Sequence, residues 1–438
     1  MIQIKRDKSA RTQVLVTSII FNGLSHVLYF KQYLKGIILM LLEVIMIVLS
    51  PTLCNALLNM VLLGETDTAV SIAQRDNSAF MLVDGIGAVF ILGIYVAIYI
   101  YYINDALGLY EFYCGTGLYK NSNKTLMESI RDSFCVWGML PGILLVIGLV
   151  LLPLVFAFLA AFTNLSAPAN IAPSKNFDWV GLDNFIALFG GDMAWTSAFF
   201  RVLLWTLVFA AASTALCYVG GLVMAHILHR YRFRFNKGLQ VILMLPYAIP
   251  AVVSMLVWRN LLNGSFGVVN RTLMAWGVIN DPIPWLSDPF MAKVTCIAIS
   301  LWAGYSYFML LILTTMNTIS PAIYDAAAMD GAGRGTAFRK LVLPLIVQRT
   351  TPFIVLAFTQ NMNNFTTVFF LTEGNPALAN TTTTSAGGTD LLVTWIYNLT
   401  FNLMKFNYAS VITVVLFVVL VPIAVWQFKK TGMYRREQ

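Results

Sequence analysis

Eight stretches of this chain are each about as long and as apolar as a helix must be to cross a bilayer, and nothing else in the sequence limits the fold so strongly. A transmembrane helix takes ~20 mostly apolar residues, and windows of that kind fall at 36–53, 80–103, 135–161, 199–228, 239–262, 294–316, 351–371 and 409–428. The 438 residues are 58% hydrophobic and 11% charged, whereas soluble domains carry about 25% charge. The bilayer is therefore the solvent. Hydrocarbon offers no partner to backbone N–H and C=O groups, so the spans must be helices. The expectation is an all-α membrane protein with eight transmembrane helices.

Thr12–Phe30 is also apolar, but Gln13, Thr17, Ser18, Asn22, Gly23, Ser25 and His26 interrupt it, and it reads as an interfacial or re-entrant segment. Charge supports this. Lys and Arg collect in cytoplasmic loops, and eight spans with both termini cytoplasmic put most of the 28 Lys and Arg on that side, including Lys5, Arg6, Lys8 and Arg11. A ninth span at 12–30 would move that basic cluster outside. The net charge of +8 is then matched by anionic membrane lipid and calls for no nucleic acid. Cys54, Cys114, Cys135, Cys217 and Cys296 show no metal-ligand spacing, and free, buried thiols are expected.

Composition divides the chain into an interfacial N-terminal segment (1–35), an accessory transmembrane pair with its loops (36–134), a six-helix core (135–428) and a cytoplasmic tail (429–438). Glu43 lies mid-span, where an ionised carboxylate costs roughly 2.5–3.5 kcal/mol, so it must be paired or neutral. No other span carries an acid at comparable depth, which argues against an ion-coupled relay. His226 and His229 close the fourth span beside Arg230, Arg232 and Arg234. No acid or cysteine stands at ligand spacing there, so a cationic helix end is expected rather than a metal site.

After the sixth span the chain reads Ser320-Pro321-Ala322-Ile323-Tyr324-Asp325-Ala326-Ala327-Ala328-Met329-Asp330-Gly331-Ala332-Gly333-Arg334-Gly335. Ser-Pro favours a helix start, and the alanine run favours a short helix with a methyl-only face. Gly331, Gly333 and Gly335 break it, and a second helix is expected near Ala337, leading into Leu343-Pro344. Such a pair lets another protein's groove approach closely, while Asp325, Asp330 and Arg334 fix the register. This segment resembles the coupling loop of ATP-binding-cassette importer permeases, whose E-A-A, three residues, G, nine residues, I-x-L-P pattern aligns with Asp325-Ala326-Ala327, Gly331 and Leu341-Val342-Leu343-Pro344. Asp and Leu stand where the family usually has Glu and Ile. The resemblance implies that 320–345, through Asp325, Ala326, Ala327, Asp330, Gly331 and Pro344, docks on a separate ATPase. No G-x-x-x-x-G-K-[ST] loop occurs in the sequence, so ATP is expected on partner subunits and no cofactor or covalent chemistry on this chain.

A narrower resemblance covers roughly 135–438. Leu245-Pro246-Tyr247-Ala248-Ile249-Pro250, Trp302-Ala303-Gly304-Tyr305-Ser306-Tyr307, Asn361-Met362-Asn363-Asn364-Phe365, Leu371-Thr372-Glu373-Gly374-Asn375-Pro376 and Thr389-Asp390-Leu391-Leu392-Val393 look like the MalF-type permease of maltose and maltodextrin importers. It implies a heterodimer with a MalG-like second permease, two copies of an ATPase, an extracytoplasmic sugar-binding protein and alternating access. Another oligosaccharide is the alternative substrate. The loop at about 164–198 is much shorter than the folded insertion of enterobacterial MalF. In that family a sugar pocket lies halfway across the membrane, and Gly304, Tyr307, Asn361 and Asn364 match its positions, whereas Ala303, Ala357 and Gln360 replace family residues. The chemistry suits a sugar, since amides offer donors and acceptors and Tyr offers a flat face with a polar tip. Asn361 and Asn364 share a helix face. Hydrogen bonds between helices would use the same amides.

Overall fold

The computed structural model describes residues 8–67, 69–119, 131, 134–230, 236–379 and 381–430. Lys5, Arg6, Lys120, Lys124, Arg232, Arg234 and most of the 429–438 tail lie outside them. All regular structure among the described residues is helical. The chain forms two compact units that divide between Trp179 and Val180.

In the first unit, α1 (Lys8–Ile20) and α2 (Leu24–Leu28) precede α3 (Tyr33–Leu62) and α4 (Ser78–Thr116). The stretch read as interfacial is thus two helices, each too short for a ~30 Å hydrocarbon core. They fold back on their neighbours. Ala10, Val14, Tyr29 and Phe30 bury against Ala106, Leu109 and Tyr110 of α4. Gly23, at φ +94°, lets α2 approach Gly36 of α3 so closely that a Cβ there would meet the Gly36 carbonyl oxygen at 2.4 Å. Glu43 is buried and accepts the Asn22 backbone N–H at 2.5 Å, so the mid-span acid does have a partner. Asn77 caps α4, its side chain accepting from the N–H groups of Ala79 and Phe80. The third span is α5 (Phe134–Val146) joined to α6 (Leu152–Ala160) through a wide turn at Ile147–Leu151, and α6 packs on α4. That packing draws the third span into this unit.

The second unit holds α7 (Met193–Arg230), α8 (Asn236–Ala248), α9 (Ala251–Leu261), α10 (Val268–Ala275) and α11 (Pro289–Asn317). Next come α12 (Ala322–Met329), α13 (Arg334–Ala337), α14 (Leu343–Met362), α15 (Phe365–Thr372), α16 (Leu392–Phe401) and α17 (Phe406–Lys430). Its centre is the α7–α11 pair, whose seam is made of small residues, as is common where helices meet in lipid. A Cβ on Gly221 would lie 2.6 Å from Phe308 Cβ and 2.7 Å from Met309 N. Around that seam Ala225, Phe308, Met309, Ile312, Val342 and Ile346 are buried.

Two expected spans differ from straight helices. The window 239–262 is α8 and α9, bent by 88°. Pro246 and Pro250 remove backbone donors, and a residue before proline avoids helical geometry, so the chain turns at Ile249–Pro250. On the α11 side the Leu243 carbonyl accepts the hydroxyls of Tyr305 at 2.9 Å and Ser306 at 2.8 Å. The window 351–371 breaks at Asn363, where α14 ends and α15 begins. Among the described residues seven helices have the length and hydropathy of a span, and the bent pair, taken as one span, makes an eighth. Of the thiols, Cys217 and Cys296 are buried, whereas Cys54 is exposed.

Candidate functional site

Residues 320–345 fold onto the end of the α7–α11 pair. Ser320 Oγ accepts the Ala322 N–H at 3.3 Å, and Pro321 stands just before the first turn of α12. Ile323 and Tyr324 pack on the core beside Met316 and Val342, and Ala327 is buried. Burial raises the Tyr324 phenol above its usual range. Gly331, at φ +76°, ends α12, and the Ala332 N–H reaches back to the Ala327 carbonyl at 2.9 Å. This is the left-handed stop that only Gly adopts without strain.

The second helix starts at Arg334 rather than near Ala337, and Gly335 lies inside it. It then passes through a wide turn at Phe338–Val342 into α14, with Pro344 in the first turn. Opening the helix there accommodates a ring that would clash in a tight α-turn. The coupling element is thereby continuous with a membrane helix. Arg349 of α14 donates to Thr318 Oγ1 at 2.7 Å, which clamps the base of the loop. Asp325, Ala326, Ala328, Asp330 and Gly331 are exposed. Met329 is 88% exposed, so the outward face carries a flexible thioether and is not methyl-only. Sequence reasoning missed Met329 because only the tilt of α12 decides which side faces out.

Beside this element a cavity of about 340 Å³ is lined by His226, His229, Arg230, Tyr324, Asp325 and Arg334. His226 lies against Phe338 with ring centroids 4.1 Å apart and planes tilted by 47°. Among the described residues no cluster of three His, Cys, Asp or Glu stands at metal-binding distance.

The four residues matched to a sugar pocket fall into two groups. Asn361 Nδ2 donates to Thr214 Oγ1 on α7 at 3.0 Å, and Asn364 Nδ2 donates to Asn361 Oδ1 at 3.4 Å. Asn364 Oδ1 accepts the Thr367 N–H at 3.0 Å and caps α15. These amides thus bridge helices across the break between α14 and α15. Gly304 lies against α7, where a Cβ would sit 2.7 Å from Cys217 Sγ. Tyr307 is half-buried, with its ring 6.4 Å from that of Tyr247 on α8. The cap sets a prediction. Asn364→Ala should lower stability by about 1 kcal/mol through the lost cap, whereas Asn364→Ser keeps a capping acceptor without adding a charge and should unfold close to the wild type in a thermal scan. Equal destabilisation by both substitutions would show that the cap is not what this side chain contributes.

Beyond α15 the chain from Glu373 to Leu391 is pinned to α7. Arg201 donates to the Ala386 carbonyl at 2.9 Å, Trp205 Nε1 to the Thr389 carbonyl at 3.0 Å, and the Leu392 N–H to Thr206 Oγ1 at 3.0 Å. Asp390, 1% exposed, accepts from the Gly387 N–H and the Thr394 hydroxyl, each at 2.8 Å. Burial outweighs these donors and pushes its carboxyl up to about 6 from an ordinary 3.8. The folded chain therefore holds this proton more tightly than the unfolded chain. Its stabilising contribution is full below about pH 4 and is lost as pH rises through about 6. Thermal stability of the purified protein should fall between about pH 4 and 6, and Asp390→Asn should flatten that slope.

The comparisons agree with this architecture. Residues 217–429 match the family described as "Binding-protein-dependent transport system inner membrane component". The galactooligosaccharides transport system permease protein GanP of Bacillus subtilis is 33% identical over 97% of this chain and 99% of its own length. The maltodextrin transport system permease protein MalC of Streptococcus pneumoniae is 28% identical over 99% of both chains. The maltose/maltodextrin transport system permease protein MalF of Escherichia coli is 35% identical over 58% of this chain and 49% of its own. A crystal structure of a bacterial ABC transporter that imports alginate superposes with a TM-score of 0.54 at 23% identity, over 70% of this chain and 99% of that one, a likeness of fold. With a relative above 30% identity along its full length, the chain belongs to the family of binding-protein-dependent transport system inner membrane components.

Proposed function

We propose that this chain is a permease subunit of an ATP-driven oligosaccharide importer, with maltose or maltodextrin as the substrate. It works by alternating access with a MalG-like second permease, two copies of an ATPase and an extracytoplasmic sugar-binding protein. The observation that carries this reading is the coupling element. An exposed helix presenting Asp325, Met329 and Asp330 is joined by the Gly331–Gly333 turn to α13, which continues through an unbroken wide turn into α14, so a push on α12 is passed to a membrane helix. The chain itself performs no covalent chemistry; ATP is bound and hydrolysed on the partner. Both termini lie on the cytoplasmic side, as the basic excess favours. A cysteine at position 8 should therefore react with impermeant thiol reagents only from that side.

A second substrate reading has its own support. The relative at 33% identity along its whole length is a galactooligosaccharide permease, and the mid-membrane positions Ala303, Ala357 and Gln360 depart from the maltose pattern. The importer reconstituted with its binding protein separates the two. Stimulation of ATP hydrolysis by maltose and maltotriose is expected. Stimulation by galactooligosaccharides alone would transfer the substrate to that class, and a response to no sugar would overturn the oligosaccharide reading.

A further inference from the structure

A cavity of about 400 Å³ opens among α15, α16 and the 373–391 loop, within the range of small-molecule sites. α14, 20 residues long, separates it from the coupling element by about 30 Å, so it lies at the opposite membrane face. One side is aromatic. Phe369 and Tyr397 line it with ring centroids 4.8 Å apart and planes at 71°. The other side is polar, with Asn375, Ser385, Asp390 and Asn402 among its lining groups.

The wall is held in place before anything enters. Asp390 is tied down by Gly387 and Thr394, and Asn402 Nδ2 donates to Asn398 Oδ1 at 3.0 Å. Glu373 and Ser385 sit at φ +53° and +58°, which non-glycine residues tolerate mainly where surrounding structure imposes it. Within this set wall, the Ser385 hydroxyl, the Asn375 amide and the Tyr397 hydroxyl make no side-chain hydrogen bond to another described residue.

The chemistry narrows the occupant. No Lys, Arg or His lines the cavity, and two carboxylates would repel an anion. A cation finds no open acid, because Asp390 is saturated by its donors and Glu373 is engaged by Arg259 at 2.6 Å. A flat aromatic surface facing uncharged donors and acceptors suits a neutral polyhydroxy ring. We infer that this cavity is an outer saccharide subsite, which receives one end of the oligosaccharide before it reaches the Asn361–Asn364 break. It rests on the oligosaccharide reading above. The aromatic run continues inward, since Phe369 stacks on Phe365 at 4.6 Å, and Phe365 directly follows Asn364.

The test uses the complete importer in lipid nanodiscs, carrying Ser385→Cys or Asn402→Cys, modified by a small hydrophilic thiol reagent and read peptide by peptide. Exposed Cys54 is the internal reference. Maltotriose or a galactotriose, supplied with the binding protein at ten times the concentration that half-saturates ATP hydrolysis, should slow labelling at both positions about tenfold, with Cys54 unchanged. Tyr397→Ala should raise the half-saturating sugar concentration about three- to tenfold; if that variant fails to assemble, the cysteine pair still decides. Unchanged labelling in an importer whose ATP hydrolysis responds to sugar would overturn this subsite alone. Equal protection by the sugar-free binding protein would overturn it too, because the shield would be protein. An importer that answers to no sugar would remove the oligosaccharide reading and the subsite together.

Discussion

Gly331→Pro is expected to leave the protein inserted and assembled while reducing transport about 100-fold. The residue stands at φ +76°, which the pyrrolidine ring forbids, and its N–H donates to the Ala328 carbonyl at 3.0 Å. Proline removes both, at a cost of ~3 kcal/mol or more, and each 1.4 kcal/mol is tenfold in population. The damage falls at the corner between α12 and α13, away from the α7–α11 core, so a misdirected coupling helix is expected rather than an unfolded chain. Two milder substitutions grade the effect. A Cβ at Gly331 meets nothing within 4 Å, so Gly331→Ala bears only the left-handed strain of roughly 1–2 kcal/mol. Gly335 lies inside α13 and is equally open, so Gly335→Ala should transport like the wild type. Uptake with the purified importer, alongside its ATP hydrolysis, provides the measurement. Wild-type uptake by Gly331→Pro would remove the loop from the mechanism.

Gly221→Leu should act on the fold itself. The contacts a Cβ would make there are with the backbone and Cβ of α11, at 2.6–2.8 Å, and no rotamer relieves them. α7 and α11 would have to separate along a seam that buries Phe308, Met309 and Ile312. Overpacking a core typically costs 1–3 kcal/mol and more when backbone must move. The expected result is almost no monodisperse protein after detergent extraction. Gly148→Ala, in the wide turn between α5 and α6 where a Cβ meets nothing within 4 Å, should give normal yield. Recovery of Gly221→Leu at wild-type yield and melting temperature would contradict close packing at this seam.

Length and hydropathy alone revealed the class and the apolar windows, because hydrocarbon enforces ~20-residue apolar helices. The helix start at Ser320-Pro321 and the stop at Gly331 were legible because these residues act through backbone preferences local to a few residues. The polar residues within Thr12–Phe30 already told against one long spanning helix there. Tertiary structure decided what depends on neighbours distant in sequence. In the sequence Asn361 and Asn364 suit a ligand or a bond between helices; only the fold brings Thr214, on another helix, to Asn361 Nδ2 and Cys217 to the open face of Gly304. The 88° bend at Pro250 and the break at Asn363 lie within runs that hydropathy sees as continuous, since hydropathy sums side chains and does not register a lost backbone donor or an amide that caps. In the sequence Asp390 is only one residue of the Thr389–Val393 match. Only the folded loop, which closes over it and leaves it 1% exposed, gives that carboxyl its raised proton affinity and sets it in the wall of the outer cavity.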